Sequence, residues 1–181
     1  VLRYLDHPNI IRLYHTMEVR NEYWLVMELM MGGTLHNILK PKNAKFAEGE
    51  IAYFAREILN GIRYLHSKPI AHRDIKNQNV MLSLDGDVKL IDFGLAVDMS
   101  EGPRFGMVGT PLWMAPEMIR GDPYMYSVDI WSFGMCLCEL ANRHRLRKEK
   151  DNIPRTMFLT ATVGLEKPFL KPDDWSADFQ V

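Results

Sequence analysis

The run from Asp129 to Ala141 carries Ile130, Trp131, Phe133, Met135, Leu137 and Leu140, apolar nearly all the way round, and a helix of that pattern has to be buried. A second helix is predicted over Glu50 to His66, where Ile51, Phe54, Ile58, Leu59, Ile62 and Leu65 recur at spacings of three and four and form one apolar face. Glu48 and Glu50 fall in its first turn, where acidic charge suits the helix dipole, although the expected capping position holds Ala47. Between the two helices, Val80-Met81-Leu82 and Val88-Lys89-Leu90-Ile91 flank Asp85-Gly86, a dipeptide that tolerates positive φ and predicts a tight hairpin turn. Asn9 to Tyr14 and Glu22 to Leu29 read as another antiparallel pair joined by the polar stretch Glu18 to Asn21.

Charge and cysteine usage exclude several classes. With 22 basic against 23 acidic side chains the net charge is -1, so no long-range field draws the chain to nucleic acid or an anionic membrane. The apolar stretch Trp24 to Met31 is interrupted by Glu28 and is far shorter than the roughly 20 residues of a membrane span. Cys136 and Cys138 are the only cysteines, and at that spacing on a helix they cannot be bridged, which suggests a reducing, cytoplasmic setting. The histidines His7, His15, His36, His66 and His144 are scattered without metal-ligand spacing. The 181 residues are one ordinary domain in length.

Three short motifs carry the chemistry: His72-Arg73-Asp74-Ile75-Lys76-Asn77-Gln78-Asn79, then Asp92-Phe93-Gly94, then Ala115-Pro116-Glu117. The predicted hairpin stands between the first two. The Gly- and Pro-punctuated stretch Gly94 to Pro123, too long for a simple connector, surrounds the last. In that order and placement they resemble the signature set of protein kinases. The resemblance implies an α+β, bilobal fold, mostly the helical large lobe with a remnant of the small-lobe sheet, and divides the chain into residues 1–28 (small-lobe remnant) and 29–181 (hinge and incomplete large lobe).

Phosphoryl transfer leaves the protein little covalent work, and most catalysis comes from positioning and charge neutralisation. The resemblance gives Asp74 the role of orienting the substrate hydroxyl and taking its proton, and Lys76 that of contacting the γ-phosphate. Magnesium prefers oxygen ligands, which Asn79 and Asp92 supply on either side of the hairpin. Trp24 to Gly33 resembles the linker between the lobes, where adenine would pair with the Glu28 carbonyl and the Met30 amide, with Met27 as gatekeeper behind it and Met81 as its floor. Asp129 is expected to be satisfied by main-chain amides and to hold the catalytic loop from beneath. His72, Phe93 and Leu13 fit the apolar stack that couples the lobes.

Lys76 and the stretch Gly109-Thr110-Pro111-Leu112-Trp113-Met114 are similar to those of kinases that act on serine and threonine, with Thr110 bonded to Lys76 and Asp74. Met107 to Pro111, Trp113 to Glu117, Leu159 to Gly164 and Trp175-Ser176 look like the sterile-twenty-like group, and within it the PAK type. The implied partners are ATP with Mg2+, a protein substrate bearing Ser or Thr, and a small GTPase acting through regions outside this chain. The basic stretch Arg143 to Lys150 departs from the Gly-Pro-Pro-containing turn usual in the family.

Other departures matter more. No Gly-x-Gly-x-x-Gly loop and no Val-Ala-x-Lys strand lysine occurs, and both ends read as cut, so the sequence predicts a catalytic-domain fragment that is inactive in isolation. The rival reading is a non-catalytic kinase-like scaffold or pseudokinase. In PAK-type kinases the arginine corresponding to Arg73 binds a phosphothreonine on the activation loop, and that position here holds Gly106. Arg73 is therefore expected to pair with a nearby carboxylate or to remain solvated. Ser100, the only hydroxyl between Asp92 and Gly109, is the competing acceptor.

Overall fold

A computed structural model describes residues 2–39, 46–142, 152–165 and 167–180. The stretch Arg143 to Lys150, His144 included, lies outside the described residues.

In chain order the elements are β1 (Leu13–Val19), β2 (Glu22–Met27), β3 (Gly33–Thr34), α1 (Leu35–Leu39), α2 (Glu48–Ser67), β4 (Ile70–Ala71), β5 (Val80–Leu82), β6 (Val88–Leu90), β7 (Val97–Asp98), α3 (Pro116–Arg120), α4 (Ser127–Asn142), α5 (Ile153–Val163) and α6 (Ala177–Gln180). Helices and antiparallel pairs are mixed, as α+β requires. Helix α2 starts where its first-turn acids predict. The missing cap at Ala47 is offset from inside the helix, because the Glu50 carboxylate turns back to accept the Ala47 amide at 2.7 Å. Ile51, Ile58, Ile62 and Leu65 are fully buried, each worth about 1.5–3 kcal/mol of transfer free energy. Phe54 packs at the margin of that core, while Leu59 is 36% exposed and leaves the predicted face. Gly61 replaces it on the inside: a Cβ there would lie 3.0 Å from the Asn9 carbonyl oxygen, so any larger residue would push the Asn9 segment off by a few tenths of an ångström.

That close approach explains the largest shift from the sequence-based boundaries. Asn9 and Ile11 bond to Leu90 (Leu90 amide to Asn9 carbonyl 2.8 Å, Ile11 amide to Leu90 carbonyl 2.9 Å), and Ile10 forms a parallel bridge to Leu90. Residues 9–11 are thus claimed by the β6 edge and the α2 core. The strand pairing with β2 begins only at Leu13, and the turn is Arg20-Asn21, both at positive φ. The pair β1–β2 forms its own two-stranded sheet.

The hairpin β5–β6 exists, with β3 added outside β5 to give the order β3-β5-β6. Its connection is wider than a two-residue turn: Ser83 and Asp87 close it, through the Ser83 amide on the Asp87 carbonyl at 3.0 Å. Helix α4 is largely buried, but not apolar all round: Ile130 is 47% exposed while Asp129, Ser132, Glu139 and Asn142 are buried. These polar groups are satisfied, Ser132 by the Trp113 carbonyl at 2.7 Å and Asn142 by the Cys138 and Pro168 carbonyls at 2.7 Å each. No helix of the described residues is long and apolar enough to cross a membrane.

Cys136 and Cys138 are free and buried. Burial pushes the Cys136 thiol well above the ordinary 9.0, and Cys138 up to about 11. The folded chain therefore keeps protons that an unfolded chain releases, so stability should fall as pH rises above about 9. Neither thiol should react with a neutral alkylating agent at pH 8 until the chain is unfolded. Mass spectrometry after timed iodoacetamide labelling checks this, and rapid native labelling would contradict it.

Candidate active site

The loop after β4 is organised from below by one buried carboxylate. Asp129, in the first turn of α4, accepts the His72 amide on Oδ2 at 2.9 Å and the Arg73 amide on Oδ1 at 2.8 Å, as expected, and is fully buried. Oδ2 also meets His66 Nε2 at 2.9 Å. That third partner was not legible: His66 ends α2, far along the chain from Asp129, and no spacing links them. With two amides and an imidazole the carboxylate is compensated for its burial, and Arg73 is held at a φ of 66° that would otherwise be strained.

His72 is fully buried. Its Nδ1 accepts the Asp74 amide at 3.2 Å, so Nε2 carries the proton toward the Ile91 carbonyl at 3.0 Å. Both nitrogens are occupied, which leaves His72 no part in proton transfer. Its ring lies 5.0 Å from that of Phe93, as the stack requires. Leu13, the third proposed member, stands on β1 outside the core cluster that takes in Phe93.

Above this base, Asp74, Lys76, Asn79 and Thr110 converge. Lys76 Nζ donates to Asp74 Oδ2 at 2.6 Å and to Thr110 Oγ1 at 2.8 Å, and Thr110 Oγ1 donates to Asp74 Oδ1 at 2.6 Å. Asn79 Nδ2 donates to the Asp74 carbonyl at 2.9 Å and to its Oδ2 at 3.0 Å. Gly109 makes the approach of Thr110 feasible: a Cβ at its φ of 112° would sit 2.5 Å from the Arg73 carbonyl oxygen.

Asn79 spends its amide nitrogen on Asp74, so its oxygen points away from that carboxylate. The Ile91 amide bonds to the Asn79 carbonyl at 3.0 Å, which places Asp92 one residue beyond a direct link to Asn79. Asp92 is exposed at a φ of 60° and accepts the Gly94 amide at 3.3 Å. A carboxylate and an amide oxygen so offered are hard donors, which suit magnesium.

The linker candidate Glu28 is joined both to the chain before β1 and to the hairpin. The Glu28 amide donates to the Arg12 carbonyl at 3.0 Å, while the Arg12 amide turns to the Glu28 carboxylate at 2.6 Å, so the Glu28 carbonyl stays out of the ladder. Lys89 Nζ lies 3.1 Å from the same carboxylate, and Lys89 pairs with Met81 across β5–β6, which ties the linker to the strand bearing Met81. Met30 is buried, and Met27 is 42% exposed at the end of β2.

Arg73 corrects the sequence reading. Among the described residues it meets no carboxylate, and it is only half-buried: Nε donates to the Leu95 carbonyl at 2.8 Å and Nη1 to the Tyr124 hydroxyl at 3.1 Å. The tertiary fold supplies uncharged acceptors from both ends of the segment that follows Asp92, a pairing that no local pattern announces.

The protein kinase domain family matches residues 1–178, and the chain belongs to that family. It is 45% identical over 173 residues to the probable serine/threonine-protein kinase mkcD of Dictyostelium discoideum, covering 93% of this chain and 26% of that protein. It is 42% identical over 184 residues to the serine/threonine-protein kinase pakB of the same organism (99% and 21%), and 39% identical over 169 residues to the serine/threonine-protein kinase shk1/pak1 of Schizosaccharomyces pombe (92% and 25%). The chain thus spans about a quarter of the length of these curated relatives.

Proposed function

We propose that the chain is the catalytic part of an ATP- and magnesium-dependent protein serine/threonine kinase, with residues 1–28 belonging to the small lobe and 29–181 to the hinge and large lobe. The observation that carries this is the shared hydrogen-bond set of Asp74, Lys76, Asn79 and Thr110. A carboxylate held by a lysine, an amide and a threonine hydroxyl is oriented and ready to accept the proton of an incoming hydroxyl, while the lysine remains beside it to meet phosphate charge. A scaffold would gain nothing from keeping that constellation beside the Asp92 carboxylate.

In this reading ATP places its adenine against the Glu28 carbonyl, the Met30 amide, Met27 and Met81. Asn79 and Asp92 would hold magnesium, whose charge would offset that of the phosphates. Asp74 orients the serine or threonine hydroxyl, and Lys76 steadies the transferred group. Names among the relatives favour a PAK-like setting, and the proposal takes with it a small GTPase as a regulatory partner, a protein substrate and a cytoplasmic location.

The test is transfer of the γ-phosphate from ATP to a pool of Ser-, Thr- and Tyr-containing peptides by the native full-length protein. Label on Ser and Thr that requires a divalent cation is expected, and label on Tyr alone, or none, would refute the reading. In the same protein Asp92→Ala should raise the magnesium requirement and weaken nucleotide binding by an order of magnitude or more, since it removes a charged ligand. Titration of a fluorescent nucleotide at several magnesium concentrations measures this, and unchanged binding would remove Asp92 from the metal site.

A further inference from the structure

The segment between Asp92 and Trp113 is fastened to its neighbours by main-chain pairs and one guanidinium. Val97 and Asp98 pair with Ala71 and Ile70, and the Met99 amide donates to the Pro69 carbonyl at 2.7 Å. Arg104 and Tyr124 exchange two main-chain bonds, at 3.0 and 2.9 Å, while the Arg104 guanidinium grips the Asp98 carbonyl at 2.8 and 3.2 Å and the Glu101 carboxylate at 3.3 Å. Met99 and Tyr124 are buried in one cluster with Ala71, Ala115, Met118 and Val128.

Tyr124 is where these fastenings meet the catalytic loop. It is 2% exposed, its main chain holds Arg104, and its hydroxyl accepts from Arg73, the residue before Asp74. Arg73 spends its remaining reach on the Leu95 carbonyl. Two of the five guanidinium N–H donors are thus placed, one on a carbonyl early in the segment and one on a phenol beyond its far end. Ser100 is a poor phosphate acceptor in this setting. Its hydroxyl and amide bond to the Asp98 carboxylate, and they hold that carboxyl below its usual range. A phosphate there would face Asp98 and Glu101, while Arg104 is already engaged by the Asp98 carbonyl and the Glu101 carboxylate.

We infer that Tyr124 is a positioning residue whose hydroxyl, through Arg73, orders the segment after Asp92 in place of a loop phosphate, so that the enzyme does not wait on phosphorylation of that segment. The inference rests on the kinase reading above and concerns the regulation of the same site.

The experiment compares the native full-length protein untreated, treated with a broad-specificity phosphatase, and as the variants Tyr124→Phe and Ser100→Ala. Phosphoryl transfer and amide hydrogen exchange of peptides covering residues 95–110 are measured on each. Phosphatase treatment and Ser100→Ala should leave both within about twofold. Tyr124→Phe removes a hydrogen bond to a charged group, so it should speed exchange in 95–110 and lower kcat, each about tenfold, with KM for ATP little changed. A thermal midpoint near wild type shows that Tyr124→Phe still folds. If it does not fold, the phosphatase comparison decides alone. Loss of most activity on phosphatase treatment or in Ser100→Ala would overturn the inference while leaving the kinase reading intact. So would equal exchange in the wild type and Tyr124→Phe. Absence of transfer by the wild type under every condition would instead overturn the kinase reading, and the exchange comparison would still decide whether Tyr124 holds the segment.

Discussion

Replacing Asp74 by asparagine in the native full-length protein is expected to cut turnover by about 10²- to 10⁴-fold, the range of a lost general base, with nucleotide affinity and fold close to wild type. The structure explains why the effect should be confined to chemistry. Asp74 Oδ2 accepts from Lys76 and Asn79, and Oδ1 meets the Thr110 hydroxyl. An asparagine can keep its oxygen toward Lys76 and Asn79 and turn its NH2 toward Thr110, whose hydroxyl reverses from donor to acceptor. Only the Thr110 proton then lacks its former acceptor, and Thr110 is half-buried and so within reach of water, so the loss of stability is small beside the loss of turnover. What disappears is the acceptor for the substrate proton. Single-turnover kinetics beside equilibrium nucleotide binding separate the two effects, and turnover within twofold of wild type would show that Asp74 is not the base.

The second large effect is on stability. Asp129→Ala removes the acceptor for the His72 and Arg73 amides and the partner of His66, with Asp129 and His72 themselves fully buried. Breaking a buried, hydrogen-bonded charge cluster from one side costs about 3–5 kcal/mol, because the buried His72 amide is left without a partner. For a chain of this size that corresponds to a fall of about 6–20 °C in thermal midpoint. Residual activity should fall as well, since the loop bearing Asp74 loses its floor. His66→Ala removes one of the three partners and should cost less, with both main-chain bonds kept. Differential scanning calorimetry of the two variants gives the ranking, and a larger loss in His66→Ala would contradict it.

Much of this protein is legible along the chain because its determinants are local. The apolar face of α2 and the apolar run of α4 follow from side-chain periodicity, and the hairpin from alternation around a turn. Asp74, Lys76 and Asn79 lie within one short loop whose offsets carry the resemblance, and the family it pointed to is the one whose model matches residues 1–178. Even the Thr110 contacts were expected from the resemblance.

Tertiary structure alone decided the long-range pairings. His66 meets Asp129 from the far end of another helix, Lys89 reaches the linker at Glu28, and Tyr124 takes Arg73. The same competition moved the first strand, because residues 9–11 gain more by bonding β6 and packing against α2 at Gly61 than by extending β1. The physical reason is common to all of these. Periodicity reports which side of an element is apolar, whereas a hydrogen bond or charge pair between elements depends on which faces the folded core brings within about 3 Å, a distance that no one-dimensional pattern encodes.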